Sequence, residues 1–186
     1  SSSDAGGIQK VFPGAEVMKL NKSYRSTYEI AAFAQSISPN SELELIERHG
    51  EDPEIKQLKN KAAEIDVLKN EIYNFNQSGL QSLGIICKTQ KQATELYKAL
   101  IEIVPETVLL SEESGSFSNG VIICSVHMSK GLEFDQVIVP QAGEKNYKDE
   151  VDRNLLYIAC TRAMHRLHLY YSGTATSFIK KKEVEG

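Results

Sequence analysis

Three short stretches carry the side chains with chemistry to offer. Tyr24-Arg25 stands just ahead of an amphipathic segment. An arginine there presents a fixed fork of donors that suits a phosphate, and the tyrosine adds an aromatic face. The stretch from Val121 to Pro140 gathers Ser125, His127, Ser129, Lys130, Gly131, Glu133 and Asp135 between two β-branched runs. In the third, Asn154 to Arg166, Arg162 follows Thr161 at the end of an apolar segment. Taken singly, each has an ordinary reading: a surface arginine, a structural histidine, a solvated glutamate, a cation favoured by the dipole at a helix C-terminus. Lys130-Gly131 invites comparison with a phosphate loop, but the order is reversed and the spaced glycine of that motif is missing.

The elements that must position these residues read as follows. Val121–Val126 and Gln136–Val139 are apolar strands of central, parallel type, joined by a tight His-Met-Ser-Lys-Gly connection. Ligands of open α/β sheets bind outside the carboxyl ends of strands, which makes this connection the expected place for function. Upstream, Val17–Leu20 suggests a short strand, and Ser26 with Glu29 a capping box that starts a helix carrying Ile30, Phe33, Ala34 and Ile37 on one face. Glu42–Glu47 alternates like an outer strand. Ile55, Leu58, Ala62, Ile65, Leu68, Ile72 and Phe75 keep helical spacing and predict one long helix over Glu54–Phe75. Leu83–Cys87 is a buried strand, Thr89 with Gln92 caps a helix reaching Ile101, and Thr107–Leu110 is a short strand. Asp149–Arg162 predicts a helix with Val151, Leu155, Leu156 and Ala159 inward. Leu167, Leu169 and Tyr171 alternate in a last strand, and Ser177–Lys182 closes as a terminal helix. Strands separated by helices give an α/β domain: a doubly wound, mostly parallel sheet flanked by helices. The expected layout is a linker over 1–16, the domain over 17–173 and a tail over 174–186.

The bulk numbers agree with such a domain. The chain has 186 residues, 41% hydrophobic and 25% charged, which is ordinary globular composition. No apolar run approaches the length of a bilayer span, so a cytoplasmic protein without membrane partners is expected. Cys87, Cys124 and Cys160 lack metal-ligand spacing and read as small core residues; no metal site is expected. The net charge of −4 argues against a free-standing, tight nucleic-acid binder, but allows a domain that forms part of a nucleic-acid channel.

Read in order, SYRS, then SVHMSKGLEFDQVIV, then NLLYIACTRA resembles the second motor domain of UvrD/Rep-like superfamily 1 helicases, a RecA-like fold. The resemblance runs from about Val17 to Tyr171. It implies an ATP-dependent DNA helicase or translocase whose ATP and Mg2+ sit between two motor domains. Arg25 and Arg162 would reach the γ-phosphate as catalytic arginines, Tyr24 would stack on adenine, Glu133 would bond the ribose, and Gly131 would lie beside the nucleotide. Ser125, His127 and Lys130 would face single-stranded DNA. The chain lacks a phosphate loop and a magnesium-holding acidic motif, so it reads as one half of a motor, inactive alone, with an N-terminal motor domain as its partner. A short connection between the Thr89–Ile101 helix and the motif at Cys124 leaves no room for the inserted subdomain of UvrD-type enzymes. The runs NKSYRSTYEIAAFAQSI, IERHGEDP and DRNLLYIACTRAMHRL resemble the HelD (helicase IV-like) branch, which implies RNA polymerase as a further partner.

Overall fold

A computed structural model describes residues 26–114 and 119–179. The expectations for residues 1–25, including the Val17–Leu20 strand and the 1–16 linker, lie outside them. Helix α1 spans Tyr28–Ile37. Strand β1 (Glu54–Leu58) leads to α2 (Lys61–Ser78), β2 (Ser82–Cys87), α3 (Gln90–Leu100) and the two-residue β3 (Val108–Leu109). Then come β4 (Gly120–Ser125), the helical turn α4 (Val126–Ser129), β5 (Phe134–Val139), α5 (Glu150–Thr161) and β6 (Ala163–Ser172).

Six strands pair in the order β1-β6-β5-β2-β4-β3, and every pairing is parallel. Alternate residues of the central strands feed two cores. On one face Ile86, Ile122, Cys124 and Val137 pack against Ile30, Phe33 and Ile37 of α1 and Leu156 and Ala159 of α5. On the other, Leu83, Ile85 and Ile123 pack against Leu68, Ile72 and Phe75 of α2 and Ala93 and Leu100 of α3. Burying one such side chain contributes roughly 1.5–3 kcal/mol, so both layers are held mainly by apolar contact. The doubly wound α/β expectation therefore holds, with a sheet that is parallel throughout the described strands. The three cysteines are free and buried, and burial pushes their thiols up, as befits core residues.

The sequence reading fails at several elements, each for a physical reason. The long helix expected over Glu54–Phe75 divides. Glu54–Leu58 pairs as an edge strand with β6, and α2 begins only after Asn60, whose Oδ1 accepts the Ala63 amide at 2.9 Å. Ile55 and Leu58 fit helical spacing equally well, which hid the break. His168, opposite Glu54 in the register, fastens the edge: its Nδ1 lies 2.7 Å from Glu54 Oε1 and its Nε2 3.6 Å from Glu71 Oε2 on α2. Residues 42–47 form no strand. At α1, Thr27 holds the N-cap position without a side-chain bond. Ser26 Oγ donates instead to the Ala163 carbonyl at 2.6 Å, and Glu29 accepts from the Gly50 amide and contacts His49. Val151 is 70% exposed rather than inward. The described part of the 174–186 segment packs onto the domain: Ala175 bridges Gly143, and Ile179 is buried. Among the described residues no helix is long and apolar enough to cross a membrane.

Candidate nucleotide and nucleic-acid faces

Two opposite edges of the sheet carry the candidate residues, and a short crossover joins them. Strand β4 ends at Ser125, whose Oγ accepts the Met128 amide at 3.2 Å and so caps the helical turn α4. The expected strand thus stops one residue short of Val126. Residues 126–133 then carry the chain from the carboxyl end of β4 to the amino end of β5, passing β2, which lies between them. That is shorter than the dozen residues a parallel crossover ordinarily takes. The return depends on a tight turn. The Leu132 amide donates to the Ser129 carbonyl at 2.9 Å, Lys130 sits at φ −62°, ψ 130°, and Gly131 at φ +84°. These are type II turn angles, which favour glycine at the third position, so the backbone alone accounts for Gly131.

Arg162 stands at the amino edge, as the C-cap of α5 just before β6. Its backbone carbonyl accepts the Phe134 amide at 2.9 Å. Its Nη1 donates to the Leu132 carbonyl and its Nη2 to Thr161 Oγ1, both at 3.2 Å, while the buried Nε has no hydrogen-bond partner among the described residues. Desolvation lowers the guanidinium pKa, and the nearby Glu133 carboxylate opposes that shift. Desolvation likewise raises the Glu133 carboxyl, with Arg162 opposing. The fold therefore brings Arg162, Glu133 and the Gly131 turn together at the amino ends of β5 and β6, away from the carboxyl edge where the general rule for such sheets expects a ligand. Tyr24 and Arg25 lie outside the described residues. Ser26, next in sequence, is bonded to Ala163, the residue after Arg162.

At the carboxyl edge the chain's own side chains close the switch point. Strands β2 and β5 are neighbours, yet β2 leads to α3 on one face and β5 to α5 on the other. The crevice between their ends is the topological switch point, where a ligand would ordinarily enter. This chain fills it with Asn146. The Asn146 Nδ2 donates to the Gln141 carbonyl at 3.0 Å, its Oδ1 accepts from Gln92 Nε2 at 2.9 Å, and its carbonyl accepts from Lys88 Nζ at 2.7 Å. Lys88 also reaches Asp152 Oδ1 at 3.0 Å. Burial raises the Asp152 pKa, but hydrogen bonds from the Lys148 amide, Lys88 and the Asp149 amide outweigh it and hold the carboxyl below its usual value. Among the described residues no group of three or more His, Cys, Asp or Glu could hold a metal ion.

Beside this plug lies a groove of about 480 Å³ outside β4, lined by Lys88, Thr89, Gln90, Ser111, Glu112, Glu113, Ser125, His127 and Met128. It unites the predicted Ser125 and exposed His127; Lys130, in the turn, is not on its wall.

Residues 120–170 match the sequence profile of the UvrD-like helicase C-terminal domain. The C-terminal domain of a possible DNA helicase from Lactobacillus plantarum WCFS1 is 33% identical, with a TM-score of 0.73, covering 84% of this chain and 92% of that one. This chain belongs to the UvrD-like helicase C-terminal domain family. Weaker likenesses extend to the C-terminal domain of the DEAD-box protein Dbp5 (16% identity, TM-score 0.49, covering 70% of this chain and 84% of that one) and to an arterivirus nonstructural protein 10 helicase solved with DNA (10%, 0.48, 77% and 30%). No curated protein sequence matches. The UvrD-like domain thus has the RecA-like α/β fold of helicase C-terminal domains. Sequence reasoning missed Lys88, Thr89, Gln90 and Ser111 as members of the Ser125 groove. The pairing of Cys87 with Ser125 carries the signal, because it sets polar residues after one strand beside those after the next.

Proposed function

We propose that this UvrD-like domain is the second half of an ATP-driven motor that moves along single-stranded nucleic acid. It completes the ATP site of an N-terminal motor domain from its amino edge and holds the strand in the groove at its carboxyl edge. The observation that carries the reading is Arg162: a guanidinium braced by Leu132 and Thr161, with a buried N–H that has no partner among the described residues. Such a group is preorganised for an anion presented by the facing domain, and an arginine finger stabilises charge on a transferring phosphoryl group. Arg25, next in sequence to the Ser26 that is bonded to Ala163, would supply a second cation and Tyr24 an adenine platform. Glu133, desolvated beside Arg162, would accept from the ribose. Mg2+ would be held by the partner domain.

Strand binding would use Ser125 and His127, with Lys130 at the approach. The 126–133 crossover ties that groove to the Leu132 carbonyl that braces Arg162. Closing of the nucleotide cleft and movement on the strand would thereby be linked, with hydrolysis removing the contact that favours closure. The test is Arg162→Ala and Arg25→Ala in the two-domain protein. Turnover of ATP should fall by about 10³-fold or more, the range for arginine fingers, with the melting temperature little changed. Normal turnover in both would sink the reading.

A second reading is favoured by the chain between α3 and β4, which builds only the two-residue β3 among its described residues. With no subdomain inserted there, the motor would remodel an RNA polymerase, as the HelD resemblance implies, without separating duplex strands. Co-purification with polymerase and inactivity on forked DNA would support it, and robust unwinding would count against it.

A further inference from the structure

A second groove, about 720 Å³ in volume, lies outside the carboxyl ends of β1, β5 and β6. It is lined in part by Lys59, Lys61 and Lys145, all exposed. Among the described residues no carboxylate lies within ion-pairing distance of these three. Two carboxylates share the groove. Glu144 is exposed; Glu64 is buried, with Oε1 accepting the Gln141 amide at 3.0 Å, and desolvation raises its pKa. Cations therefore dominate the open surface here, in a chain whose net charge is −4.

The groove also continues an edge already in use. Thr89, the N-cap of α3, and Gln90 line the Ser125–His127 groove, while Gln92, in the first turn, lines this one. The Gln92–Asn146 bond is the boundary between them. From β4 to β6 is three strand spacings, roughly 14 Å, which an extended single strand covers in a few nucleotides.

We propose that Lys59, Lys61 and Lys145 form a second contact for the nucleic acid, taking backbone phosphates of the single strand that occupies the Ser125–His127 groove. The inference rests on the strand-binding reading above. Phosphates of a flexible strand need exposed cations held in no tight ion pair; among the described residues these three lysines form none, although Lys61 feels the charge of the buried Glu64. The neighbouring Lys88 is tied to Asp152 and Asn146.

Salt dependence gives the test. Binding of fluorescein-labelled oligo(dT) to the two-domain protein is followed by anisotropy over a potassium chloride series. Comparison is between wild type, the Lys59→Gln/Lys61→Gln/Lys145→Gln triple variant, His127→Ala, and Lys98→Gln in the last turn of α3 as a distant control. Each phosphate contact on a single strand contributes about 0.7 to the slope of log K against log salt, so the triple variant should lose roughly 2 from that slope. The Lys98 variant should keep the wild-type slope. A triple variant with wild-type slope and affinity, where His127→Ala weakens binding, would overturn this inference and leave the strand reading standing. If neither variant changes binding, the strand reading fails and this inference with it. Loss of poly-glutamate binding with an unchanged DNA slope would mark the groove as a site for an acidic polypeptide and also overturn it.

Discussion

Gly84 sits in β2 with Ile122 on one side and Val137 on the other, so its backbone is fixed from both edges. A β-carbon placed there would stand 2.6, 2.7 and 2.8 Å from three ring carbons of Phe134, which is itself fully buried. Ordinary contact begins near 3.4 Å, so the ring must move by most of an ångström in a packed core. Overpacking of this kind costs about 1–3 kcal/mol. Alanine recovers about 0.4–1 kcal/mol by restricting the unfolded chain, because Gly84 does not need a positive φ. Gly84→Ala should therefore destabilise the domain by about 1–2 kcal/mol, the middle of the range those two terms leave, because the displaced ring is fully buried. At this chain length that lowers the melting temperature by roughly 2–8 °C. Urea denaturation should show a lower midpoint with an unchanged m-value. In a Phe134→Leu background the cost should largely vanish, which a double-mutant cycle would read as coupling. The consequence reaches the candidate site, since the Phe134 amide donates to the Arg162 carbonyl. A Gly84→Ala protein as stable as wild type, or full additivity with Phe134→Leu, would refute the packing argument.

Lys88→Met removes one partner of a largely buried pair and leaves the Asn146 carbonyl without its donor. The loss should be about 2–3 kcal/mol, below the roughly 3–5 kcal/mol of a fully buried pair because both side chains keep some solvent contact; a thermal melt unchanged from wild type would contradict it. The Glu29–His49 pair predicts a pH dependence. Its hydrogen bond to Glu29 raises His49 above 6.5, and the same bond, with help from the Gly50 amide, lowers Glu29 below 4.5. The His49 contribution is present below its unfolded pKa and lost as pH rises through the folded one; the Glu29 contribution is lost as pH falls through its folded value. Stability measured by urea midpoint should thus decline from mildly acidic to alkaline pH. His49→Gln should flatten that decline, and an unaltered profile would count against the pair.

Where local chemistry settled an element, the sequence was enough to read it. Thr89 with Gln92 caps α3 as expected, and the apolar runs at Leu83, Val121 and Gln136 are the interior strands. Reading failed where two periods coincide, at Ile55 and Leu58, or where a residue serves a distant partner. Ser26 reaches Ala163 across 137 residues of sequence, and Glu29 turns to His49 and Gly50 rather than to its own helix end. The candidate residues could be named from the sequence, but not where the fold would put them. Ser125 and Glu133 sit a few residues apart, yet the crossover sends them to opposite edges of the sheet. The closing of the switch point by Asn146 has little local signature, because two of its partners, Lys88 and Gln92, lie more than fifty residues upstream at the start of α3.

This UvrD-like domain is proposed to supply arginines to an ATP site that only a second motor domain completes. The most direct measurement is ATP hydrolysis by the 186-residue chain and by the two-domain protein, each with and without single-stranded DNA. The chain alone should be silent, and turnover by the two-domain protein should rise with DNA. Hydrolysis above background by the chain alone would contradict the proposal.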